Sequence, residues 1–206
     1  MTKYNDLRTS IYKAYGNHTA ERPFVMAIDG LSGSGKTTLA RKLKGDLEDV
    51  TLIHIDDHIT ERRRRYDTGC EEWFEYYQLQ WDAFYLKEHL FERLRSGEKE
   101  LFLPFYNREM DCTQIKQISL MPGAIVLVEG VFLLREEWRS FYDFVIFLDC
   151  PRAVRNERVL IRDAYTGDLS ERLKKYQNRY WRAEDYYLES QGPFQSAHII
   201  LHTSLW

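Results

Sequence analysis

Gly30-Leu31-Ser32-Gly33-Ser34-Gly35-Lys36-Thr37 is the stretch whose reading decides the fold of this chain. It matches G-x-x-x-x-G-K-[ST] in full. An apolar run, Phe24–Asp29, precedes it and a helical segment, Thr38–Lys44, follows, as the pattern requires. Each residue type has a physical task. Glycines let the backbone curl until successive N–H groups point inward at phosphate oxygens. The helix that follows adds its positive N-terminal end. Lys36 reaches the outer phosphates as a point charge, and Thr37 offers a hydroxyl to Mg²⁺. The expected nucleotide-binding residues are Gly30, Ser32, Gly33, Ser34, Gly35, Lys36, Thr37 and Thr38, with ATP and Mg²⁺ as cofactors. Such a loop serves kinases, switches and motors alike, so the rest of the chain must decide between them.

Working outward, three further apolar runs read as buried strands: Thr51–Ile55, Ala124–Glu129 and Phe144–Asp149, with a weaker fifth at His198–Leu201. Apolar strands without polar alternation, separated by helical patterns, predict an α/β fold with a parallel sheet covered on both faces. Helices are expected from Gly35–Lys36 towards Gly45, over an aromatic-rich region from Glu71 to Leu94, after Pro151, and after Asp168, where Asp168 and Glu171 have capping-box spacing. The stretch between Gly97 and Pro122 reads as a strand pair or loop. The chain is expected to be one domain over 1–206, with a lid at about 152–170 and a substrate-side insertion at about 60–120.

Composition narrows the class. With 44% hydrophobic and 30% charged residues, the 206-residue chain has ordinary globular character, and a net charge of -3 provides no global field for nucleic acid. Three cysteines without metal spacing and no signal-peptide run predict a soluble, cytoplasmic protein with no membrane partner. The histidines show no ligand spacing. The aromatic cluster Trp73, Phe74, Tyr76, Tyr77, Trp81, Phe84 and Tyr85 reads as core packing or a subunit interface, which leaves a homo-oligomer open.

In parallel sheets, ligand chemistry gathers at the C-terminal strand edges. That rule selects Asp56, Asp57 and Glu129; Asp29 reads as a turn or cap residue and Asp149 as a helix cap. A carboxylate at Asp56 or Asp57 would orient and deprotonate an acceptor hydroxyl or hold a metal-bound water, and Glu129 would complete a Mg²⁺ shell. The plainer alternative is strand termination by solvated acids. After Pro151, Arg155, Arg158 and Arg162 fall within about 60° of one another on a helix, with Arg152 further round. Arg158 and Arg162 are read as lid residues that close over transferring phosphate, against the alternative of a solvated face. Arg62–Arg65 reads as a solvated loop near an anionic substrate, and Tyr106 as a substrate-facing ring.

Taken together, these stretches resemble the uridine kinase-like branch of the P-loop kinases, with its nicotinamide riboside kinase, pantothenate kinase and phosphoribulokinase relatives. The matching residues run in family order: Ile28–Thr38, His54-Ile55-Asp56-Asp57-His58, Leu103-Pro104-Phe105-Tyr106, Val126–Gly130, Phe144–Asp149, Arg158–Asp163 and Ala197–Ile200. The resemblance implies a five-stranded sheet in the order 2-3-1-4-5 with a mobile lid, and transfer of the ATP γ-phosphoryl group to a hydroxyl of a small molecule. It implies Asp56 as general base, Thr37 and Glu129 at Mg²⁺, Arg158 and Arg162 in the lid, and Tyr106 against the substrate. Two positions depart from the pattern: His58 replaces an aromatic residue, and Asp111 stands where uridine kinases carry a pyrimidine-contacting His, which argues against uridine or cytidine. A regulatory nucleotide-binding ATPase without a metabolite acceptor is the alternative, and a nucleic-acid end kinase a third.

Overall fold

The computed structural model describes residues 2–164 and 167–203. The chain begins with α1 (Thr2–Gly16), β1 (Phe24–Gly30), α2 (Lys36–Asp46) and β2 (Val50–His54). A 3₁₀ turn at Ile55–His58 leads to α3 (Arg62–Arg65), α4 (Glu72–Gln78) and α5 (Ala83–Leu86), and a π turn at Lys87–Glu92 runs on into α6 (Arg93–Arg95). A hairpin follows, β3 (Glu100–Asn107) and β4 (Cys112–Ser119), then β5 (Ile125–Glu129) and β6 (Phe144–Asp149). The chain continues through α7 (Arg152–Arg162), α8 (Leu169–Lys175), a π turn at Tyr176–Trp181, α9 (Arg182–Gln191), α10 (Pro193–Ser196) and β7 (Ile199–His202).

The main sheet is wholly parallel, in the order β2-β5-β1-β6-β7. Counted by chain order among these five strands, that is the expected 2-3-1-4-5. β1 and β5 are buried along their full length because both of their faces are covered. Alternate side chains feed two separate cores. Val25, Ala27, Val126, Val128, Val145 and Phe147 face one, closed by Trp81, Leu90, Phe91, Trp138 and Tyr187. Met26, Ile28, Leu127, Ile146 and Leu148 face the other, closed by α2 through Leu39 and Leu43 and by α1 through Tyr4, Leu7 and Ile11. Helix α1 is not among the elements expected from the sequence. Its signal is the 4-7-11 spacing of those three residues, and its role is to cover the second face.

Three expectations need correction. The aromatic-rich region is not one helix. It breaks at 79–82, where Asp82 caps α5 by accepting the Tyr85 N–H at 3.1 Å, and Thr60 claims the carbonyls of Leu79 and Gln80. Pro151 is the N-cap of α7 rather than its first residue. Asp149 does not cap α7 but lies 2.9 Å from His202 Nδ1. The Asp168–Glu171 capping box is present in both directions. The stretch after Gly97 is a strand pair, paired antiparallel from Glu100–Ser119 to Asn107–Cys112. Gly97 itself, at φ +78°, ends the helix as a residue free of Cβ can.

Candidate active site

The phosphate loop is braced from behind before any ligand enters. Buried Asp29 accepts the Gly30 N–H at 2.6 Å through Oδ1. Through Oδ2 it accepts the Leu134 N–H at 3.1 Å and the Tyr187 hydroxyl. Burial raises its pKa against those hydrogen bonds. Asp29 is thus a clamp between the loop, the chain after β5 and α9. One turn further, Glu184 accepts the Ser32 N–H at 2.9 Å, while Arg155 donates to Ser32 O at 3.0 Å and to Glu184 at 2.9 Å. This buried ion pair fixes Ser32 at both its amide and its carbonyl. Gly33 and Gly35 have φ of +78° and +99°. A Cβ at Gly33 would stand 2.8 Å from Val159 Cγ1 and 2.9 Å from Arg155 O, so α7 packs directly on the loop.

The loop opens into a cleft of about 1570 Å³ lined by Ser32 to Thr38, Asp56, Tyr106, Glu129, Arg158 and Arg162. Most of the site residues read from the sequence therefore meet in one space. Lys36 is buried and its Nζ donates to Leu31 O at 3.1 Å. Burial lowers its pKa, opposed by Glu129 and Asp56. Thr37 Oγ1 donates to Glu129 Oε1 at 3.0 Å, and His54 Nδ1 lies 2.6 Å from the same oxygen. Burial would raise the Glu129 carboxyl, but His54, Lys36 and Thr37 outweigh it and the net shift is downward. The hydrogen bond to Glu129 in turn raises His54. Gly130, next in the chain, could carry no Cβ: the atom would lie 2.1 Å from Ile55 Cγ2.

Asp56 keeps solvent contact within the cleft while protein crowds it elsewhere. That desolvation raises its pKa, Lys36 lowers it and Glu129 adds to the rise. Asp57 is exposed and is not among the cleft-lining residues. Gly30 also stays out of the lining: at the end of β1, it lets Ser34 and Leu148 approach to 2.8 Å of where a Cβ would be. The four arginines after Pro151 separate. Arg158 donates to Gly33 O at 3.2 Å and Arg162 pairs with Asp163 at 2.8 Å, both at the cleft. Arg155 is buried behind the loop, and Arg152 pairs with Asp185 at the surface. The lid range expected at 152–170 includes 165 and 166, which lie outside the described residues.

A nucleotide and Mg²⁺ fit these residues. The buried Ser34 hydroxyl has no partner among the described residues, and the positive φ of Gly33 and Gly35 gives the loop the curl of an anion nest. The described residues contain no group of three or more His, Cys, Asp or Glu side chains able to hold a metal alone. Thr37 with Glu129 suits Mg²⁺, which takes few protein ligands and completes its shell with phosphate oxygens and water. The sequence reading placed Arg155 on the arginine face but not behind the loop, and it missed the parts played by His54 and Glu184. His54 ends β2 directly opposite Glu129, a register that only the folded sheet shows. Arg155 and Glu184 carry no signal for their pairing, because 29 residues separate partners that only the tertiary fold joins.

A five-stranded parallel sheet, a phosphate loop between β1 and α2, and a carboxylate-and-arginine cleft above the strand ends define a P-loop kinase. The chain belongs to the phosphoribulokinase / uridine kinase family, whose family model matches residues 25–204. It is 30% identical to a uridine kinase of Borrelia garinii subsp. bavariensis over 68% of this chain and 66% of that protein. It is also 30% identical to a uridine kinase of Deinococcus deserti over 69% of each. A solved structure described as a possible uridine kinase from Bacillus stearothermophilus is 41% identical. That comparison covers 97% of this chain and 99% of the other, with a TM-score of 0.79.

Proposed function

We propose that this chain transfers the γ-phosphoryl group of ATP to a hydroxyl of a nucleoside-like or other small metabolite. The observation that carries this reading is the convergence of Lys36, Asp56 and the Thr37–Glu129 pair in one cleft that also reaches Tyr106. Asp56 acts as general base: the acceptor oxygen forms its bond to phosphorus, the bond from phosphorus to the ADP oxygen breaks, and Asp56 takes the hydroxyl proton. An upward-shifted carboxyl is a better base than an ordinary Asp, provided it is ionised when the acceptor arrives. Lys36, Arg158 and Arg162 stabilise charge on the transferring group, and the amides and hydroxyls of Ser32 to Thr38 hold the polyphosphate. Thr37 and Glu129, with Asp56 beside them, would hold Mg²⁺, which when bound neutralises phosphate charge. The segment 152–170 serves as the lid, 60–120 supplies the acceptor side with Tyr106, and Asp57, just ahead of that segment, sits at its rim.

The test is ATP turnover with Mg²⁺ against a panel of small hydroxyl compounds, read as a product heavier by one phosphoryl group. Lys36→Ala abolishes that product. Asp56→Asn lowers kcat by ~10²–10⁴ while leaving ATP binding in place. An Asp56→Asn protein with normal turnover on its acceptor removes Asp56 from the role of base.

A further inference from the structure

The acceptor side of the cleft carries an electrostatic feature that phosphoryl transfer alone does not use. Of the run Arg62–Arg65, Arg64 turns away to pair with Asp82 at 3.3 Å, while Arg62, Arg63 and Arg65 line the cleft. Arg108, from the turn between β3 and β4, lines it too. Asp56 interacts electrostatically with both Lys36 and Arg108, which places it between the phosphate loop and this arginine wall. Among the described residues, no carboxylate lies within 4.0 Å of the guanidinium nitrogens of any of these four cleft arginines. Asp56 and Asp67 line the cleft on that side, while Asp111 acts electrostatically on Arg62 and Arg65, and Glu61 on Arg63, from outside the lining. An anion entering here gains attraction from several guanidinium groups in a partly enclosed site, where the field is less screened than at an open surface.

The wall is also held in position. Arg65 is buried, donates through Nε to Thr60 O at 2.7 Å, and lays its guanidinium 5.1 Å from the Tyr106 ring centroid. Asp111 accepts both the Tyr106 hydroxyl at 2.8 Å and the Arg62 N–H at 2.9 Å, which ties α3 to the hairpin. The Tyr106 hydroxyl is thereby engaged and a face of its ring is covered by a cation, so this ring is a poor platform for a flat neutral base. Gln80, 9% exposed, lines the same cleft, and its Oε1 has no hydrogen-bond partner among the described residues. A buried amide oxygen of that kind calls for a donor from the ligand.

We propose that the arginine wall binds an anionic group, a phosphate monoester or a carboxylate, on the acceptor itself, and that Gln80 receives one of the acceptor's other hydroxyls. The acceptor is then a polyhydroxy anion rather than a neutral nucleoside. This rests on the kinase reading above for what happens at the hydroxyl, but binding at the wall can be measured without turnover.

Two measurements test it with the full chain. The first compares turnover with ATP and Mg²⁺ on ribulose 5-phosphate and ribose 5-phosphate, on glycerate and pantothenate, and on uridine and cytidine. The expected result is kcat/KM at least tenfold higher for a compound of one anionic pair than for either nucleoside; the pair that wins identifies the anion. The second is calorimetric binding of the same compounds with the phosphate loop filled by a non-hydrolysable ATP analogue and Mg²⁺. Arg63→Ala/Arg108→Ala, two exposed positions, is expected to weaken the anionic ligand at least tenfold and to leave the analogue's affinity unchanged. Faster turnover of a nucleoside, or equal anion binding by wild type and variant, overturns the proposal. If none of the six compounds is phosphorylated, the calorimetry alone decides: anion binding lost in the variant upholds the wall, and its retention, or binding by neither protein, rejects it.

Discussion

Glu129 shows how one side chain acquires its role from its neighbours. Its Oε1 takes both the Thr37 hydroxyl and His54 Nδ1, so the carboxylate is held ionised and aimed at the second residue of the helix that follows the phosphate loop. His54 touches the carboxylate rather than the loop, which makes it a positioning residue for the proposed Mg²⁺ site. Removing such a partner from a ligating carboxylate costs about 10–100-fold in metal affinity. His54→Ala is therefore expected to raise the Mg²⁺ concentration for half-maximal turnover by that factor, with KM for acceptor little changed. A magnesium titration that superimposes on wild type removes His54 from the site. Thr37 and Glu129 were legible in the sequence because each ends a motif or an apolar run. His54 sat at such an edge as well, but no spacing rule marks a histidine whose partner lies 75 residues away.

Between elements, the acceptor side is locked to the C-terminal helices by one buried ion pair. Arg179, in the π turn ahead of α9, donates to Glu75 of α4 at 2.9 Å and to Arg65 O at 2.9 Å, and lies 4.0 Å from the Tyr66 ring centroid. Glu75 also accepts from the Thr68 amide and hydroxyl. Both partners are buried, so deleting the cation strands a carboxylate in low dielectric. Arg179→Met is expected to cost about 3–5 kcal/mol, and Glu75→Gln in the same chain to restore part of it. Urea midpoints of the three proteins check this, and a loss under ~1 kcal/mol for Arg179→Met contradicts it. Along this helical run Leu169 is exposed, while Tyr176 at the start of the π turn and Tyr187 beyond it are buried.

At the scale of the molecule, the edge of the sheet opposite the cleft has its own tie. Asp143, just ahead of β6, takes both nitrogens of the Arg22 guanidinium at 2.7 and 2.6 Å and the Val25 N–H at 2.9 Å. Burial pushes its carboxyl up, but Arg22 and the Val25 amide outweigh that and the net shift is below the ordinary 3.8. A carboxyl with a depressed folded-state pKa contributes its full stability above the unfolded value. That stability is lost as pH falls through the folded value. The stability gap between wild type and Asp143→Asn is thus expected to be constant at neutral pH and to narrow below about pH 4. Urea unfolding at pH 7, 5 and 3 measures it, and a gap that widens in acid has the wrong sign for this pair.

The parallel sheet and the phosphate loop could be read from local sequence. An uninterrupted apolar run can satisfy itself only as a strand covered on both faces, and the glycine-rich turn has few other uses between such a strand and a helix. The resemblance to uridine kinase-like proteins supplied the order and the candidate base. Tertiary structure decided which like residues do unlike things. Arg155 braces the loop while Arg158 and Arg162 face the cleft, and Arg64 pairs outward while its neighbours point in. Asp56 lines the site and Asp57 does not. Charge, size and helix propensity are the same within each set. What separates them is the direction in which a packed backbone aims each side chain, and that direction is fixed by contacts with chain segments far away in sequence.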